Sequence, residues 1–319
     1  MTSQLVPPVE QGRRRSTPLP RPGTKRRSLR HGDRYWAYLL IVPTAIGLTV
    51  FSIWPAIQTF YFSFTKWGTF GGHEWTGFDN YTQVFHDPEL LRSLRNTVIF
   101  SVMTLLGIPL SIGLAALLTT KGLRGVGFYR AVYFLPVVTM PAAIALVWKL
   151  IYNGDTGILN QFLAVFGIDG PHWLSDPATA IYAVGLVSIW SSLGYNMVLF
   201  IAGMQSIPGE FYEAASIDGA GPWRQFFGVT MPLLTPTTFF VTVITVINAL
   251  QAFDLVYLMV GRASPAIQDS QTVVYLFYAK GILQGDGGYA AAIAFVLLAL
   301  ILLITALQFR VQKRWVHYE

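Results

Sequence analysis

The sequence predicts an all-α membrane protein with six transmembrane helices and both termini on the cytoplasmic side. Charged residues make up 12% of the chain and hydrophobic ones 53%, with a mean hydropathy of +0.48. Soluble domains carry about 25% charged residues, so this chain has too little polar surface to face water on all sides. Six stretches are apolar over about 20 residues, the length a helix needs to cross a bilayer. Lysines and arginines collect in alternate connections between them, the bias that sets orientation.

In order, the expected spans run from about Tyr35 to Phe62, Thr97 to Thr119, Ala131 to Tyr152, Ile181 to Gly203, Leu234 to Val260 and Tyr289 to Leu307. The first follows a basic stretch, as a signal peptide would, but its apolar run is too long and no small-x-small cleavage site follows it, so it reads as a retained anchor. Ahead of it, residues 1–34 are rich in Pro, Arg and Ser and are expected to be a disordered cytoplasmic tail. Residues 35–319 then form one membrane domain. Prolines at Pro43, Pro55, Pro109, Pro136, Pro141 and Pro236 fall inside spans, where each frees a backbone carbonyl and favours a kink.

Orientation follows from Arg13, Arg14, Arg15, Arg21, Lys25, Arg26, Arg27, Arg30 and Arg34 in the tail, Lys121, Arg124 and Arg130 in the second connection, Arg224 in the fourth, and Arg310, Lys313 and Arg314 at the C-terminus. The opposite side holds only Lys66, Arg92, Arg95, Lys149, Arg262 and Lys280. The net charge of +6 is thus gathered at membrane boundaries, where anionic headgroups rather than nucleic acid are its partner.

The absence of cysteine excludes disulfides, thiolate zinc sites and a Cys nucleophile. His31, His73, His86, His172 and His317 all lie outside the spans at no metal-ligand spacing. No catalytic residue and no metal ligand is expected. Asn80-Tyr81-Thr82 matches a glycosylation sequon, read as a chance match.

The fourth connection, about 207–232, carries the most information. Pro208, with Glu210 and Glu213 after it, suits a helix start. Gly219 suits a helix stop, and Pro222 the start of a second short helix. Small residues at Ala214, Ala215, Gly219, Ala220 and Gly221 allow close backbone approach, and Phe211, Tyr212, Trp223, Phe226 and Phe227 supply apolar contact. This is the composition of a docking knob at the cytoplasmic surface.

The same stretch resembles the EAA loop of ABC importer permeases: Glu213-Ala214-Ala215, three residues, Gly219, nine residues, then Val229-Thr230-Met231-Pro232 in place of Ile-x-Leu-Pro. Further elements resemble the sugar-uptake, maltose-type branch: Gly77-Phe78-Asp79-Asn80-Tyr81, Arg130 to Pro136, Gly157-Ile158-Leu159-Asn160, Trp173 to Pro177, and Phe253-Asp254-Leu255-Val256-Tyr257. The resemblance covers nearly everything from Tyr35 onward. It departs at Met259 to Pro265, where that branch often reads Leu-Thr-x-Gly-Gly-Pro.

The resemblance implies the type I ABC importer permease fold in a bacterial inner membrane and import of a carbohydrate or related polyol by alternating access. The implied partners are a second, related permease, two ABC ATPase subunits and an extracytoplasmic substrate-binding protein. The chain itself has no phosphate loop ending Gly-Lys-Ser/Thr. ATP and Mg are therefore expected in the ATPase partner, and no cofactor here. Glu213, Ala214, Ala215, Asp218, Gly219 and Pro232 are the coupling residues, with Glu213 meeting a basic partner residue and Asp218 capping or orienting the turn at Gly219.

For cargo, span four offers Ser188, Trp190, Ser191, Ser192, Tyr195 and Asn196; Ser188, Ser191, Ser192 and Tyr195 recur at helical steps that can share one face. Span five offers Thr245, Asn248, Gln251 and Asp254, the last being the one acid placed within a span, where acids are functional candidates. Interhelical hydrogen bonding is the alternative role for each. Tyr195, Thr245 and Asn248 fall where the maltose-type permeases meet sugar. The alternative function is another importer branch, for glycerol phosphate, amino acids or peptides. A non-ABC carrier or a membrane enzyme explains the Glu213 to Pro232 loop less well.

Overall fold

The computed structural model describes residues 31–67, 72–120 and 122–315. The tail read as disordered lies outside the described residues up to Arg30, as do Lys121 and His317. The chain divides into two compact units, residues 1–55 and 56–319. The first holds α1 (His31–Leu48) and the π-helical turn Thr49–Ile53. Tyr38–Phe62, ending in α2 (Trp54–Phe62), is an apolar helical stretch of 25 residues.

After α2 comes a small hairpin, β1 (Thr65–Trp67) against β2 (His73–Trp75), antiparallel with Lys66 opposite Glu74. Helix α3 (Asp79–His86) follows. Its Asn80 is buried, and its amide donates to the carbonyls of Ser63 and Thr65 at 2.9 and 2.8 Å. The asparagine of the sequon therefore clamps the loop after α2. Asp87 caps α4 (Pro88–Leu105) by accepting from the Glu89 amide at 2.8 Å and also accepts from the Tyr289 hydroxyl. With α5 (Gly107–Thr119) this makes an apolar run of 32 residues, Pro88–Thr119, longer than the Thr97–Thr119 span expected.

The third span differs from expectation. Instead of one helix from Ala131 to Tyr152, α6 (Val126–Val138) and α7 (Pro141–Ile151) meet at 102°. Pro141 has no N–H, and its ring holds Met140 in an extended conformation (φ −60°, ψ 135°). The freed Leu135 carbonyl is taken by the Thr139 hydroxyl at 2.8 Å. A short helix, α8 (Ile158–Val165), leads to the long α9 (Ala180–Gln205).

After α9 come α10 (Gly209–Ile217), α11 (Pro222–Gln225), a π-helical turn Phe226–Thr230 and α12 (Met231–Leu233). The stretch Pro222–Leu233 meets α13 (Thr235–Leu250) at 64°. Pro236 sits in the first turn of α13, where a missing N–H costs nothing, so it starts the helix rather than kinking it.

The fifth span is also shorter than the expected Leu234 to Val260. It stops at Leu250, and Gln251 leaves helical geometry (φ −98°, ψ 12°). Helical structure resumes at Asp254 and runs through the π-helical turn Val256–Val260 to Gly261. Asp254 therefore lies beyond the break and not inside the span. The Ala252 carbonyl freed there accepts from the Thr272 hydroxyl at 2.6 Å. Two short helices, α14 (Ile267–Ser270) and α15 (Val273–Tyr278), precede α16 (Gly287–Trp315), the last apolar span. By length and composition the described residues hold up to six spans when each bent pair counts as one.

Helix α9 is the axis of the second unit. One apolar cluster joins its first turns to α7, the 256–260 turn and Tyr275. A second joins its last turns to α5 and the start of α13. Between them α9 passes so close to α6 that a Cβ on Gly194 would lie 2.0 Å from the Tyr133 carbonyl oxygen, a contact only glycine permits.

Candidate functional site: a cavity on α9 and a surface turn

Where α13 breaks, α4, α9 and α13 enclose a cavity of about 250 Å3. Helix α9 contributes Ser188, Ser192, Tyr195 and Asn196, spaced so that they fall on one face. Helix α13 contributes Thr245 and Asn248, and the broken segment adds Gln251, Phe253 and Asp254. Helix α4 adds Phe100 and Thr104. The break is what makes this wall: a continuous helix would carry Asp254 onward along the span instead of turning the segment across the cavity.

The lining mixes hydroxyl, amide and carboxylate groups with apolar side chains such as Ile244, Leu255 and Val256 and the rings of Phe100, Tyr195 and Phe253. Ser192 donates to the Ile189 carbonyl at 2.9 Å, and Thr104 to the carbonyls of Phe100 and Ser101 at 3.1 and 2.9 Å. Their oxygens keep acceptor capacity toward the cavity. Asn196 is different. It is 3% exposed, and its Nδ2 has no hydrogen-bond partner among the described residues. A buried donor left unpaired costs about 1–3 kcal/mol, and such groups are normally satisfied by protein or ordered water. Asp254 is the one charged residue in this lining, and it is exposed.

Two residues expected along the substrate pathway stand apart from the cavity. Trp190 packs its ring against Trp148, with centroids 5.5 Å apart. Ser191 is not in the lining, and its Oγ is buried without a partner among the described residues. Helical period sets Ser191 beside Tyr195, so the neighbours packed on α9, and not the period, leave it outside the lining. Phe100 and Thr104 were not legible as lining residues, because nothing local in α4 signals which helix it will face.

The loop at 207–232 forms a second, exposed feature. Pro208 is the residue before α10 (φ −59°, ψ 137°), and Glu210 lies in the first turn. Helix α10 ends at Ile217 and Gly219 takes φ +74°. The Ala220 amide then donates to the Ala215 carbonyl at 2.8 Å. Pro222 opens α11. No hydrogen bond is formed by the Asp218 carboxylate among the described residues that tie this turn; Gln225 does that work, with Nε2 donating to Ser216 Oγ at 2.9 Å and to the Ala220 carbonyl at 3.0 Å. The Tyr212 hydroxyl meets Thr230 Oγ1 at 3.0 Å, joining α10 to the π-helical turn. Glu213, Ala214, Ala215, Asp218 and Gly219 remain at the surface, as do Ile217 and Trp223, 86% and 77% exposed. Pro232 sits in α12 at the bend into α13. Large apolar side chains thus stand at the surface beside the turn.

This arrangement has counterparts. The chain is 35% identical over 291 residues to the sn-glycerol-3-phosphate transport system permease protein UgpA of Shigella flexneri, covering 90% of this chain and 97% of that protein. It is 33% identical over 285 residues to UgpA of Pectobacterium atrosepticum, covering 88% and 95%. Its fold matches a chain of a bacterial ABC transporter that imports the acidic polysaccharide alginate, solved alone and with a pentasaccharide-bound periplasmic protein; the TM-score is 0.80 at 22% identity, covering 89% of this chain and 96% of that one. Residues 91–317, which include the cavity on α9 and the turn at Gly219, match the family described as binding-protein-dependent transport system inner membrane component, and the chain belongs to that family of multi-pass ABC importer permeases.

Proposed function

We propose that this permease carries a carbohydrate or related polyol, and that the cavity between α4, α9 and α13 is its half of the translocation site. The observation that carries the reading is the unpaired Asn196 amide in a cavity whose other polar groups are hydroxyls, amides and one carboxylate, with Tyr195 and Phe253 supplying ring faces. Hydroxylated, weakly amphipathic cargo pairs with such a lining. Ser188, Ser192, Tyr195, Thr245, Asn248, Gln251 and Asp254 are its candidate contacts. Trp190 and Ser191 act in helix packing.

The 207–232 loop docks on the cytoplasmic ATPase subunits, with Glu213, Ala214, Ala215, Asp218, Gly219 and Pro232 at or behind the contact. The termini share that cytoplasmic side. Two ATPase subunits bind ATP and Mg, this chain binds no cofactor, a related second permease completes the pathway, and an extracytoplasmic binding protein delivers cargo. Closure of the ATPases moves the loop as a unit, because Gln225 and Tyr212 fasten it to the helices that lead into α13. The cavity then opens alternately to each side.

A second reading, glycerol phosphate as cargo, is favoured by the names of the curated relatives. One experiment separates the two. The complex is purified through this chain with its partner subunits and reconstituted, and ATPase stimulation is measured with neutral saccharides, polyols and glycerol phosphate, each with binding protein. Stimulation by a neutral saccharide or polyol supports the first reading. Stimulation by glycerol phosphate alone supports the second, and stimulation by neither removes both.

A further inference from the structure

Helix α8 has three distinct sides. At about 3.6 residues per turn, Ile158, Phe162, Val165 and Phe166 fall together, and these are 67%, 61%, 80% and 66% exposed. Leu159, Asn160 and Leu163 fall on the next side and turn toward the protein, where Leu159, like Trp173 and Leu174, packs against the apolar cluster that joins α7 to α9. The third side carries Gln161 and Ala164, both exposed. One exposed apolar face, one packed face and a narrow exposed side carrying Gln161 suit a helix lying along a bilayer surface.

Its position in the chain supports this occupant. It lies between the bent pair α6–α7, which counts as one span, and the span α9, so residues 152–179 stay at one boundary of the bilayer. The exposed apolar face continues onto Leu146, Val147 and Leu150 of α7. Residues 152–179 contain no Lys or Arg and carry Asp155, Asp169 and Asp176, so anionic headgroups do not attract them; the attraction is to acyl chains. The helix is also held at a fixed attitude. Asn160 donates to the carbonyls of Gly154, Gly170 and Pro171 at 2.9, 3.1 and 3.1 Å and accepts from Trp173 Nε1 at 2.7 Å. Such a frame keeps the apolar face turned one way without any help from a partner.

We infer that α8 is an interfacial helix whose Ile158, Phe162, Val165 and Phe166 face is sunk into the acyl-chain boundary of the leaflet, where it fixes the depth of α7 below the bend. Lipid, and not a second permease or a binding protein, covers this face.

The chain has no native cysteine, so a single nitroxide can be placed by Phe162→Cys or Gln161→Cys in the complete complex, its partner subunits made cysteine-free, in nanodiscs. Collision with oxygen, which partitions into lipid, is compared with collision with an aqueous nickel chelate. At position 162 oxygen access is expected to exceed nickel access, and at 161 the order reverses. Shielding of position 162 from both reagents would mean a protein covers the face, and nickel access there would mean water does; either overturns the inference. Retained ATPase activity in both variants verifies that the complex is folded.

Discussion

The cavity on α9 and the turn at Gly219 are both candidate working parts, yet they are built in opposite ways. The turn is local. Its helix ends, its left-handed glycine and its bracing by Gln225 come from residues within 207–232. The cavity is assembled from α4, α9 and α13, which are far apart in the chain, and from a break at Gln251 that no proline announces. A local device tolerates change elsewhere and fails when its own backbone is altered. A device made by packing fails when any wall shifts.

The largest effect expected is on the packing of α9 against α6. Gly194→Val places side-chain atoms against the α6 backbone, where even a Cβ would be 2.0 Å from an oxygen. The two helices must separate, and recovery of the folded complex by size-exclusion chromatography is expected to collapse. Normal recovery would mean the close approach of α6 to α9 is not fixed.

Gly219→Val is expected to be severe for transport but mild for folding. No heavy atom lies within 4 Å of a Cβ there, so the penalty is the left-handed backbone itself, about 1–2 kcal/mol for an ordinary residue and more for a β-branched one. Cargo-stimulated ATPase activity should be lost while the chain still assembles. Intact coupling in this variant would remove the turn from the docking face.

A smaller and more specific effect is expected from Asn196→Leu. It should lower cargo-stimulated ATPase activity about tenfold, equivalent to about 1.4 kcal/mol, with basal activity unchanged. Thermal stability should hold or rise, since a buried unpaired amide is removed. A fall in stability would mean the amide has a structural partner. Trp190→Phe, which keeps an aromatic contact with Trp148 outside the cavity, should change cargo stimulation least of all.

The same contrast explains what was legible in the sequence. Span existence, the EAA spacing and the stop at Gly219 were readable because apolar length and turn chemistry are written in consecutive residues. Ser188, Ser192 and Tyr195 were grouped by helical period, but period alone could not tell that Ser191 turns away, since the direction of a face is decided by the neighbours that pack on it. The bend in span three was signalled by Pro136 and Pro141, though not its size. The end of α13 at Leu250 carries no comparable signal. Its freed Ala252 carbonyl is taken by Thr272, a residue on a different element. Asp254 consequently moved from the interior of a span to the wall of a cavity.

The 102° bend between α6 and α7 also bears on how the protein is made. Their 13 and 11 residues would rise only about 20 and 17 Å as helices, short of a hydrocarbon core of about 30 Å. Neither half can be recognised and released into lipid as an autonomous segment during synthesis. The two reach the length and composition of a span only together, so they are expected to enter the membrane as one unit and not helix by helix.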